Sequence, residues 1–393
     1  MKVVVAAVSA PEHLNGVSRH AANVVRGLLT RAEITDVHLL VGAWQQRTYT
    51  EAVARQDARL HIHPVAIGRG TLQRNAWYYQ ELPRVAEQLN ADIAHLAYPM
   101  PVAGKDFRCP TVVSLHDLYP FDIPANFGIV KAALNRQVVR QCLRSVGAVA
   151  CVSESTRQQL GRWFGNGLAD KAVTVLNAVE PVPMSCGRGP RPLHRGHPFV
   201  LCVAQHRKNK NIALAIRVFE RSLKTAVLPP ETQLAVVGVD GPETRRIRAM
   251  IAGSQLGHRV VLLSGICDAE LQWCYRNCEL LLAPSSIEGF GLPVVEALLA
   301  GCRVVCSDIP AFREVGMEAC HYVALGTGEV ETFTSAIAKA RATPHILPVS
   351  MPWLSASAIA EKYMVLYRHL QMRVVGAGYG AFRVWPLSGG DGV

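Results

Sequence analysis

A short apolar run that leads into a glycine-containing loop and then into a marked helix is the feature that most constrains the fold. The apolar run, residues 280–283, ends at Pro284, which is typical of a strand buried on both faces of a parallel sheet. Beyond the loop, Pro293 stands in the first turn of a possible helix and Gly301 at its left-handed cap. The sequence therefore predicts a strand, a turn and a helix over residues 292–300, which is one unit of an α/β fold.

The loop before this helix has the composition of an anion-binding site. Gly289 and Gly291 let the backbone approach a ligand closely. The free N–H groups and the dipole of a helix N-terminus favour a phosphate or carboxylate at that position. Glu288 lies in the loop and Glu296 in the helix, so two carboxylates border the same small volume. The alternative interpretation is a βα corner with two solvated glutamates.

This stretch resembles the signature of the family 4 retaining nucleotide-sugar glycosyltransferases. In that signature two glutamates separated by seven residues surround a Gly-Phe-Gly-Leu-Pro core, and Glu288 and Glu296 have that spacing. The similarity continues over residues 300–316 and is broken at Met317, where family members often have a glycine. The resemblance implies that Glu288 contacts sugar hydroxyls and Glu296 the ribose hydroxyls. It also implies that the donor meets Gly289, Phe290, Gly291 and Leu292.

Length and composition limit the kind of protein. A chain of 393 residues is long for one hydrophobic core and fits two domains of roughly 150–200 residues each. Half of the residues are apolar and 18% are charged, which favours a well-packed globular protein. No apolar run approaches the ~20 residues that span a bilayer. The eleven cysteines show neither zinc-site spacing nor a disulfide framework, so we expect buried thiols in a reducing cytoplasm and no metal.

The N-terminus predicts the start of a doubly wound domain. Residues 2–8 read as a valine-rich strand, and a loop containing Gly16 leads into a segment with apolar residues at helical spacing. A short signal peptide is the competing interpretation, but the strand, loop and helix fit a doubly wound fold better. Because family members have glycines in this loop, the resemblance makes Gly16 a candidate donor contact, with a plain turn glycine as the alternative.

Alternating strand and helix patterns continue along the chain, which makes the fold class α/β. The resemblance implies the GT-B fold, in which two doubly wound Rossmann-like domains face a central cleft. We place an acceptor-binding domain at residues 1–180, a linker at 181–197 and a nucleotide-sugar-binding domain at 198–350, because the linker is rich in Pro, Gly and Arg. A C-terminal helix at 351–372 would pack back on the first domain, and a tail follows at 373–393.

A polar pair follows a buried strand in the first domain. His116 and Asp117 come directly after the apolar residues 111–115, at a carboxyl end where open α/β sheets place ligands. The resemblance implies that His116 contacts the donor sugar or the departing phosphate, while Asp117 would orient His116 or cap the next loop. A purely structural histidine is the alternative. Residues 120–127 then predict a loop.

Cations and histidines crowd the loop at residues 205–211, between a strand and a helix of the second domain. Such a loop is a polyphosphate site if it faces the ligand. The resemblance assigns Lys210 and Arg207 to the lysine and arginine that grip the diphosphate, with Lys208 as the reserve for the arginine. Solvated surface charge is the alternative. Further along, the loop that begins at Gly238 would line the base and ribose of the nucleotide.

Together these residues predict a retaining, metal-independent hexosyltransferase with no cofactor, which uses a nucleotide-diphosphate sugar as co-substrate. The acceptor would be a saccharide or lipid-linked saccharide in polysaccharide synthesis. Residues 116–124 look like those of bacterial polysaccharide mannosyltransferases and related hexosyltransferases, which favours GDP-mannose over a UDP-sugar. The alternatives are a sugar-nucleotide epimerase or hydrolase on the same fold and a catalytically silent nucleotide-sugar-binding scaffold.

The net charge of +11 lies mostly in residues 1–195, and such a face can meet anionic lipid, nucleic acid or phosphorylated substrates. Basic and aromatic residues do not interleave as in RNA-binding proteins, which disfavours nucleic acid. Arg136, Arg140 and Arg144 form a basic stripe on a predicted amphipathic helix. A cytoplasmic protein with this stripe can contact the inner face of the membrane through its N-terminal domain; a solvated helix face is the alternative.

Overall fold

The computed structural model describes residues 1–13, 15–53, 57–180, 188–193, 196–254, 256–344 and 347–375. The chain forms two compact units. The first contains Met1–Leu118, Ala133–Ala178 and the chain from Ala356, and the second contains Tyr119–Ala132 and Val179–Ser355. Of the predicted linker and tail, residues 181–187, 194–195 and 376–393 lie outside the described residues.

The first unit is built on a seven-stranded sheet whose neighbouring strands are all parallel. Its central strands are buried along their whole length and rich in valine and alanine, as expected for a sheet covered on both faces. The strands lie in the order β3-β2-β1-β4-β5-β6-β7. Their bounds are β1 Lys2–Ala6, β2 Asp36–Gly42, β3 Leu60–Val65, β4 Ile93–Leu96, β5 Thr111–Leu115, β6 Ala148–Cys151 and β7 Ala172–Thr174.

The second unit is built on a six-stranded parallel sheet. The strands lie in the order β10-β9-β8-β11-β12-β13. Their bounds are β8 Phe199–Val203, β9 Gln233–Val237, β10 Val260–Leu263, β11 Leu280–Ala283, β12 Val304–Ser307 and β13 Cys320–Val323.

Helices connect the strands, as parallel pairing requires. Among the described residues, the α-helices are α1 Gly16–Leu28, α2 Gln46–Val53, α3 Thr71–Ala76, α4 Leu82–Gln88, α5 Tyr119–Asp122, α6 Ile129–Ser145, α7 Glu154–Phe164, α8 Asn166–Ala169, α9 Ile212–Lys224, α10 Thr244–Ala252, α11 Asp268–Asn277, α12 Leu292–Leu299, α13 Pro310–Gly316, α14 Glu329–Ala342 and α15 Ala356–Val375. The sequence and structure agree that the fold is α/β, with two Rossmann-like domains.

Each sheet has a point where the strand order reverses. In the first sheet β1 lies between β2 and β4, and in the second β8 lies between β9 and β11. At such a point the connections leave on opposite faces of the sheet, so the loops at the carboxyl ends of the two strands open a crevice. In the second unit these are the loops that follow β8 and β11.

Two helical segments belong to a unit other than the one that surrounds them in sequence. Helix α15 follows the second unit in the chain but lies in the first, where its buried Tyr363 and Tyr367 join the core with α1 and β1. The segment Tyr119–Ala132 follows β5 of the first unit but makes its contacts in the second. The prediction of a plain loop at 120–127 was wrong, because α5 and a 3-10 turn at Pro124–Asn126 form there.

Gly27 lets α15 lie directly on α1. A Cβ atom added at Gly27 would lie 2.3 Å from the carbonyl oxygen of Ala356 and 3.0 Å from Cβ of Ala360. A backbone carbonyl cannot turn aside as a flexible side chain does, so any residue larger than glycine must push the two helices apart.

Gly27→Ala is therefore expected to lower the free energy of unfolding of the first unit by about 2 kcal/mol, through overpacking at the α1–α15 contact. Gly161→Ala is the matched control, since Gly161 is also helical but its added Cβ would be 4.0 Å from the nearest atom, in Ala169. This control should stabilise the protein by about 0.5–1 kcal/mol, because alanine has the better helix propensity. Urea unfolding of both variants measures the difference, and equal effects would show that the helices are not in tight contact.

Candidate functional site

The loops that follow β8 and β11 meet at one edge of the second sheet. The two strands are paired in parallel, with Leu280 opposite Val200 and Leu281 opposite Leu201, so their carboxyl ends point the same way. After β8, a 3-10 turn at Lys208–Lys210 ends at Asn211, whose φ of 55° is left-handed and starts α9. This geometry brings the predicted phosphate loop beside the predicted sugar-binding loop.

Lys210 and Glu288 form a direct ion pair where these loops meet. The Lys210 Nζ atom lies 2.6 Å from each carboxylate oxygen of Glu288. The Glu288 residue is 7% exposed, and the Lys210 side chain is 17% exposed. Two charges held this far from water need each other, because removal of either partner leaves an uncompensated charge.

Tyr119 is a third member of this site, which the sequence interpretation missed. Its hydroxyl group donates a hydrogen bond to Oε2 of Glu288 at 3.2 Å, and its ring is buried. The sequence predicted only a loop at residues 120–127, directly after Tyr119. No periodic pattern indicated that Tyr119 contacts Glu288, which is distant in the chain.

Asn209 ties the two loops together. Its buried side-chain amide donates to the carbonyl oxygen of Ile287 at 3.2 Å, and its backbone carbonyl oxygen accepts from the N–H of Ser286 at 2.8 Å. Asn126 adds a further brace, because its side chain donates to Oδ1 of Asn209 at 3.0 Å and accepts from the N–H of Lys208 at 3.2 Å.

The other predicted cations lie in the same loop. The Arg207 guanidinium stands over the ring of Phe127, 5.9 Å from its centroid, a geometry that allows a weak cation–π contact. Lys208 is exposed and contributes its backbone N–H to Asn126. Arg207, Lys208 and Lys210 thus form a cationic turn in front of α9.

The glycine loop after β11 leads into α12. Gly291 is the residue before the helix and has a φ of 103°, and a Cβ there would lie 2.9 Å from the ring of Phe312. Both facts require glycine at this position. Pro293 lies in the first turn, and no side chain caps this end of the helix among the described contacts. Gly289 and Gly291 thus leave the backbone at the start of α12 open to a ligand on the side where they lack a Cβ atom, and Phe290 and Leu292 stay predicted donor contacts.

Glu296 lies in the middle of α12, in a separate environment from Glu288. Its Oε2 atom accepts a hydrogen bond of 2.8 Å from the hydroxyl of Tyr275 on α11. The Tyr275 ring is fully buried, so this contact fixes the direction of the carboxylate. The sequence predicted Glu296 but gave no signal for Tyr275.

Gly238 has a packing reason to be glycine. A Cβ at this position would lie 2.0 Å from the carbonyl oxygen of Ala204, at the end of the neighbouring strand β8. The loops after β8 and β9 therefore touch through their backbones. Gly238 stays a predicted nucleotide contact.

In the first unit, His116 directly follows β5, and its Nε2 atom donates a hydrogen bond of 2.8 Å to the carbonyl oxygen of Ala97. A carbonyl only accepts, so Nε2 carries the proton and the neutral ring keeps a lone pair on Nδ1. The ring packs edge-to-face against His20, with centroids 4.7 Å apart. His20 lies on α1, which begins at Gly16 behind the side-chain cap of Asn15.

Behind His116 lies a buried polar network that the sequence did not indicate. The hydroxyl of Ser114 lies 2.8 Å from Nε2 of His20 and 2.8 Å from Nε2 of His95. Nδ1 of His95 is hydrogen-bonded to the hydroxyl of Tyr367 at 2.6 Å. Helix α15 thus contributes directly to the surroundings of His20 and, through it, of His116.

These histidines are held neutral. Burial, with a smaller effect of the neighbouring His116, lowers the pKa of His95 to about 3. Burial lowers the pKa of His116 to about 4, although its bond to the Ala97 carbonyl acts in the opposite direction. Burial and the two neighbouring rings also place the pKa of His20 well below its ordinary value.

Among the described residues, no group of three His, Cys, Asp or Glu side chains is arranged to hold a metal ion. The cysteines of this part of the chain are free thiols, and most are buried, as the sequence predicted. Every helix in the described ranges is either too short or too polar to span a lipid bilayer.

Two family models match most of the chain. The one described as glycosyltransferase family 4 matches residues 14–182, and the one described as glycosyl transferases group 1 matches residues 189–344. The chain belongs to the family 4 glycosyltransferases, which have the GT-B fold. This confirms the family that the Glu288 to Glu296 signature indicated.

Several known proteins are similar to this glycosyltransferase. It is 24% identical to O-antigen chain mannosyltransferase B of Escherichia coli, over 80% of this chain and 84% of that protein. It is also 24% identical to the GDP-mannose:cellobiosyl-diphosphopolyprenol alpha-mannosyltransferase of Xanthomonas oryzae, over 84% of this chain and 85% of that one. The solved sucrose-phosphate synthase of Thermosynechococcus elongatus shares its fold, with a TM-score of 0.68 at 15% identity over 96% of this chain and 100% of that one.

The buried histidines of the glycosyltransferase predict how its stability depends on pH. The unfolded chain takes up a proton at His95 below the ordinary pKa of 6.5, whereas the folded ring stays neutral down to about 3. The free energy of unfolding should therefore fall as the pH is lowered from 6.5, by about 1.4 kcal/mol per pH unit for this one residue. His95→Gln should make the slope between pH 6 and 4 shallower by that amount.

Urea unfolding at half-unit steps of pH measures this slope. His13→Gln, at an exposed position in the β1–α1 loop, is the control and should leave the slope unchanged. An unchanged slope in His95→Gln would mean that His95 is protonated in the folded protein.

Proposed function

We propose that this glycosyltransferase is a retaining mannosyltransferase that moves mannose from GDP-mannose to a saccharide or lipid-linked saccharide during synthesis of a cell-surface polysaccharide or glycolipid. The observation that carries the proposal is the contact of Lys210 with Glu288, where the loops after β8 and β11 meet. The choice of mannose is supported by the names of the relatives, which are mannosyltransferases.

The charges of the reaction explain this pairing. Cleavage of the bond between sugar and phosphate builds negative charge on the diphosphate and positive charge on the sugar carbon. Lys210, Arg207 and the N–H groups at the start of α12 would stabilise the diphosphate, and one such preorganised donor is worth ~3–4 kcal/mol. In this scheme the ammonium group of Lys210 turns from Glu288 to the incoming diphosphate. Lys210 and Arg207 then supply the positive charge that a bound metal ion supplies in metal-dependent enzymes.

The same exchange makes Glu288 available to the sugar. Its carboxylate would accept hydrogen bonds from sugar hydroxyls once Lys210 binds phosphate, and Glu296 would bind the ribose hydroxyls. His116 offers the lone pair of Nδ1, because its proton is held on Nε2 by Ala97. We therefore assign His116 to a hydroxyl of the sugar and not to the phosphate, since a neutral acceptor gives a phosphate no stabilisation.

Retention of configuration can follow either of two routes. A double displacement needs a carboxylate nucleophile beside the sugar carbon that reacts, and in this scheme the Glu288 carboxylate accepts from sugar hydroxyls while Oε2 stays bonded to Tyr119. We therefore favour front-face attack by the acceptor, with the departing phosphate taking the acceptor proton. A sugar-nucleotide hydrolase or epimerase would form product without an acceptor, and a silent scaffold would form none.

Titration calorimetry with GDP, UDP, ADP, dTDP and the corresponding sugar nucleotides, in the presence of chelator, tests the donor. We expect GDP and GDP-mannose to bind and Glu296→Gln to weaken both about tenfold, because the lost charge weakens the bonds to ribose. Glu318→Gln, at an exposed carboxylate, is the control. Unchanged GDP affinity in Glu296→Gln would contradict the ribose role, and binding of another nucleotide would replace the assignment of GDP-mannose.

We also propose that the protein works at the inner face of the cytoplasmic membrane, bound through the start of α6. Three large aliphatic residues there point into solvent: Ile129 is 90% exposed, Val130 73% and Leu134 63%. Lys131 and, further along the helix, Arg140 are also exposed. An apolar end beside basic residues is typical of a helix that lies in the interface of an anionic bilayer.

Vesicle flotation tests this membrane contact. The protein should float with vesicles of anionic phospholipid and not with neutral ones, and the triple change of Ile129, Val130 and Leu134 to Ser should lower the partition coefficient at least about tenfold. Leu72→Ser is the control, because Leu72 is 84% exposed on α3. Equal binding of the triple variant and the wild type would exclude this helix as the anchor.

A further inference from the structure

The segment Tyr119–Phe127 contacts both Glu288 and the cationic turn of the proposed donor site. Tyr119 binds Glu288, Asn126 binds Lys208 and Asn209, and Phe127 lies beneath Arg207. These residues begin three positions after His116, yet the contacts of Tyr119–Ala132 place the segment in the second unit. The family resemblance assigned no role to any of them.

We infer that Tyr119 is a positioning residue that orients the Glu288 carboxylate for the donor sugar, and that Asn126 separately braces the phosphate loop. The inference rests on the proposed function, since it assigns the sugar to Glu288 and the diphosphate to Lys210.

The geometry gives Tyr119 a role that Lys210 cannot have. Lys210 lies 2.6 Å from both oxygens of Glu288, but in the proposed reaction it leaves them for the diphosphate. The hydroxyl of Tyr119 donates to Oε2 of Glu288, at 3.2 Å. A donor fixed on one oxygen stops the carboxylate from rotating and leaves Oε1 for a sugar hydroxyl. The buried ring of Tyr119 keeps this donor in place.

Asn126 acts on a different part of the site. Its amide group makes two bonds to the turn that carries the cations, one to the N–H of Lys208 and one to Oδ1 of Asn209. Asn209 in turn holds the loop before Glu288 through Ile287 and Ser286. Loss of Asn126 should therefore loosen the diphosphate contacts, whereas loss of the Tyr119 hydroxyl should affect only the sugar.

The two roles separate when affinities for a nucleoside diphosphate and for its sugar derivative are measured on the same variants. With GDP and GDP-mannose as probes, Tyr119→Phe should weaken binding of GDP-mannose about tenfold and leave that of GDP unchanged. The lost hydrogen bond is to the charged Glu288 carboxylate, which in the proposed complex contacts the sugar and not the diphosphate. Asn126→Ala should weaken both ligands by the same factor, about threefold to tenfold. In turnover, Tyr119→Phe should raise KM for the donor sugar more than it lowers kcat.

Tyr79→Phe is the matched control, because the Tyr79 ring is exposed at 45%, and it should change neither affinity. If Tyr119→Phe lowers the affinities for GDP and GDP-mannose by the same factor, Tyr119 has only a structural role and the inference is overturned. Unchanged affinities for both ligands would overturn it as well. If the wild type binds a different nucleotide and its sugar derivative, the proposed donor is wrong, but the same comparison with that pair still decides the role of Tyr119. A wild type that binds none of the sugar nucleotides would overturn both proposals.

Discussion

The ion pair of Lys210 with Glu288 is the interaction on which the arrangement of the second unit's site depends. Two charged groups are taken out of water there, and this is tolerable only because each oxygen of the carboxylate has a donor. Asn209 and Asn126 hold the two loops at the spacing that the pair requires. A site built in this way is charged and preorganised before any ligand arrives, and in the proposed reaction a diphosphate replaces the carboxylate as the partner of the lysine.

The parallel sheets explain why these residues meet. Lys210 and Glu288 are 78 positions apart in the chain, but β8 and β11 are neighbours, and the strand order reverses between them. The first unit repeats this order around β1 and β4. There the polar residues are different: neutral histidines and tyrosines are buried behind His116, and helix α15 supplies part of that network. The polar groups at the reversal point of the second unit are therefore charged, whereas the polar network behind His116 in the first unit is uncharged.

Local patterns predicted much of the fold, and they indicated Lys210, Glu288 and Glu296 as residues of the candidate site. The strand at 280–283 and the helix that begins at Leu292 formed as their apolar run, Pro293 and Gly301 indicated. Met317, where the sequence departs from the family signature, has a left-handed φ of 42°, a backbone conformation that glycine adopts more easily. Tyr119, Tyr275 and Asn126 were missed, because a contact between distant side chains leaves no periodic signal in the sequence.

The sequence by itself determined the fold class, the family and the residues that carry charge, since strand and helix periodicity, glycine positions and the spacing of Glu288 and Glu296 are local properties. Tertiary structure alone decided what each of these residues touches. It joined the segment after His116 to the second unit, and it brought α15 back to the first. It also placed the proton of His116 on Nε2. These outcomes depend on packing between elements far apart in the chain, where burial and hydrogen-bond geometry, and not local propensity, set the free energy.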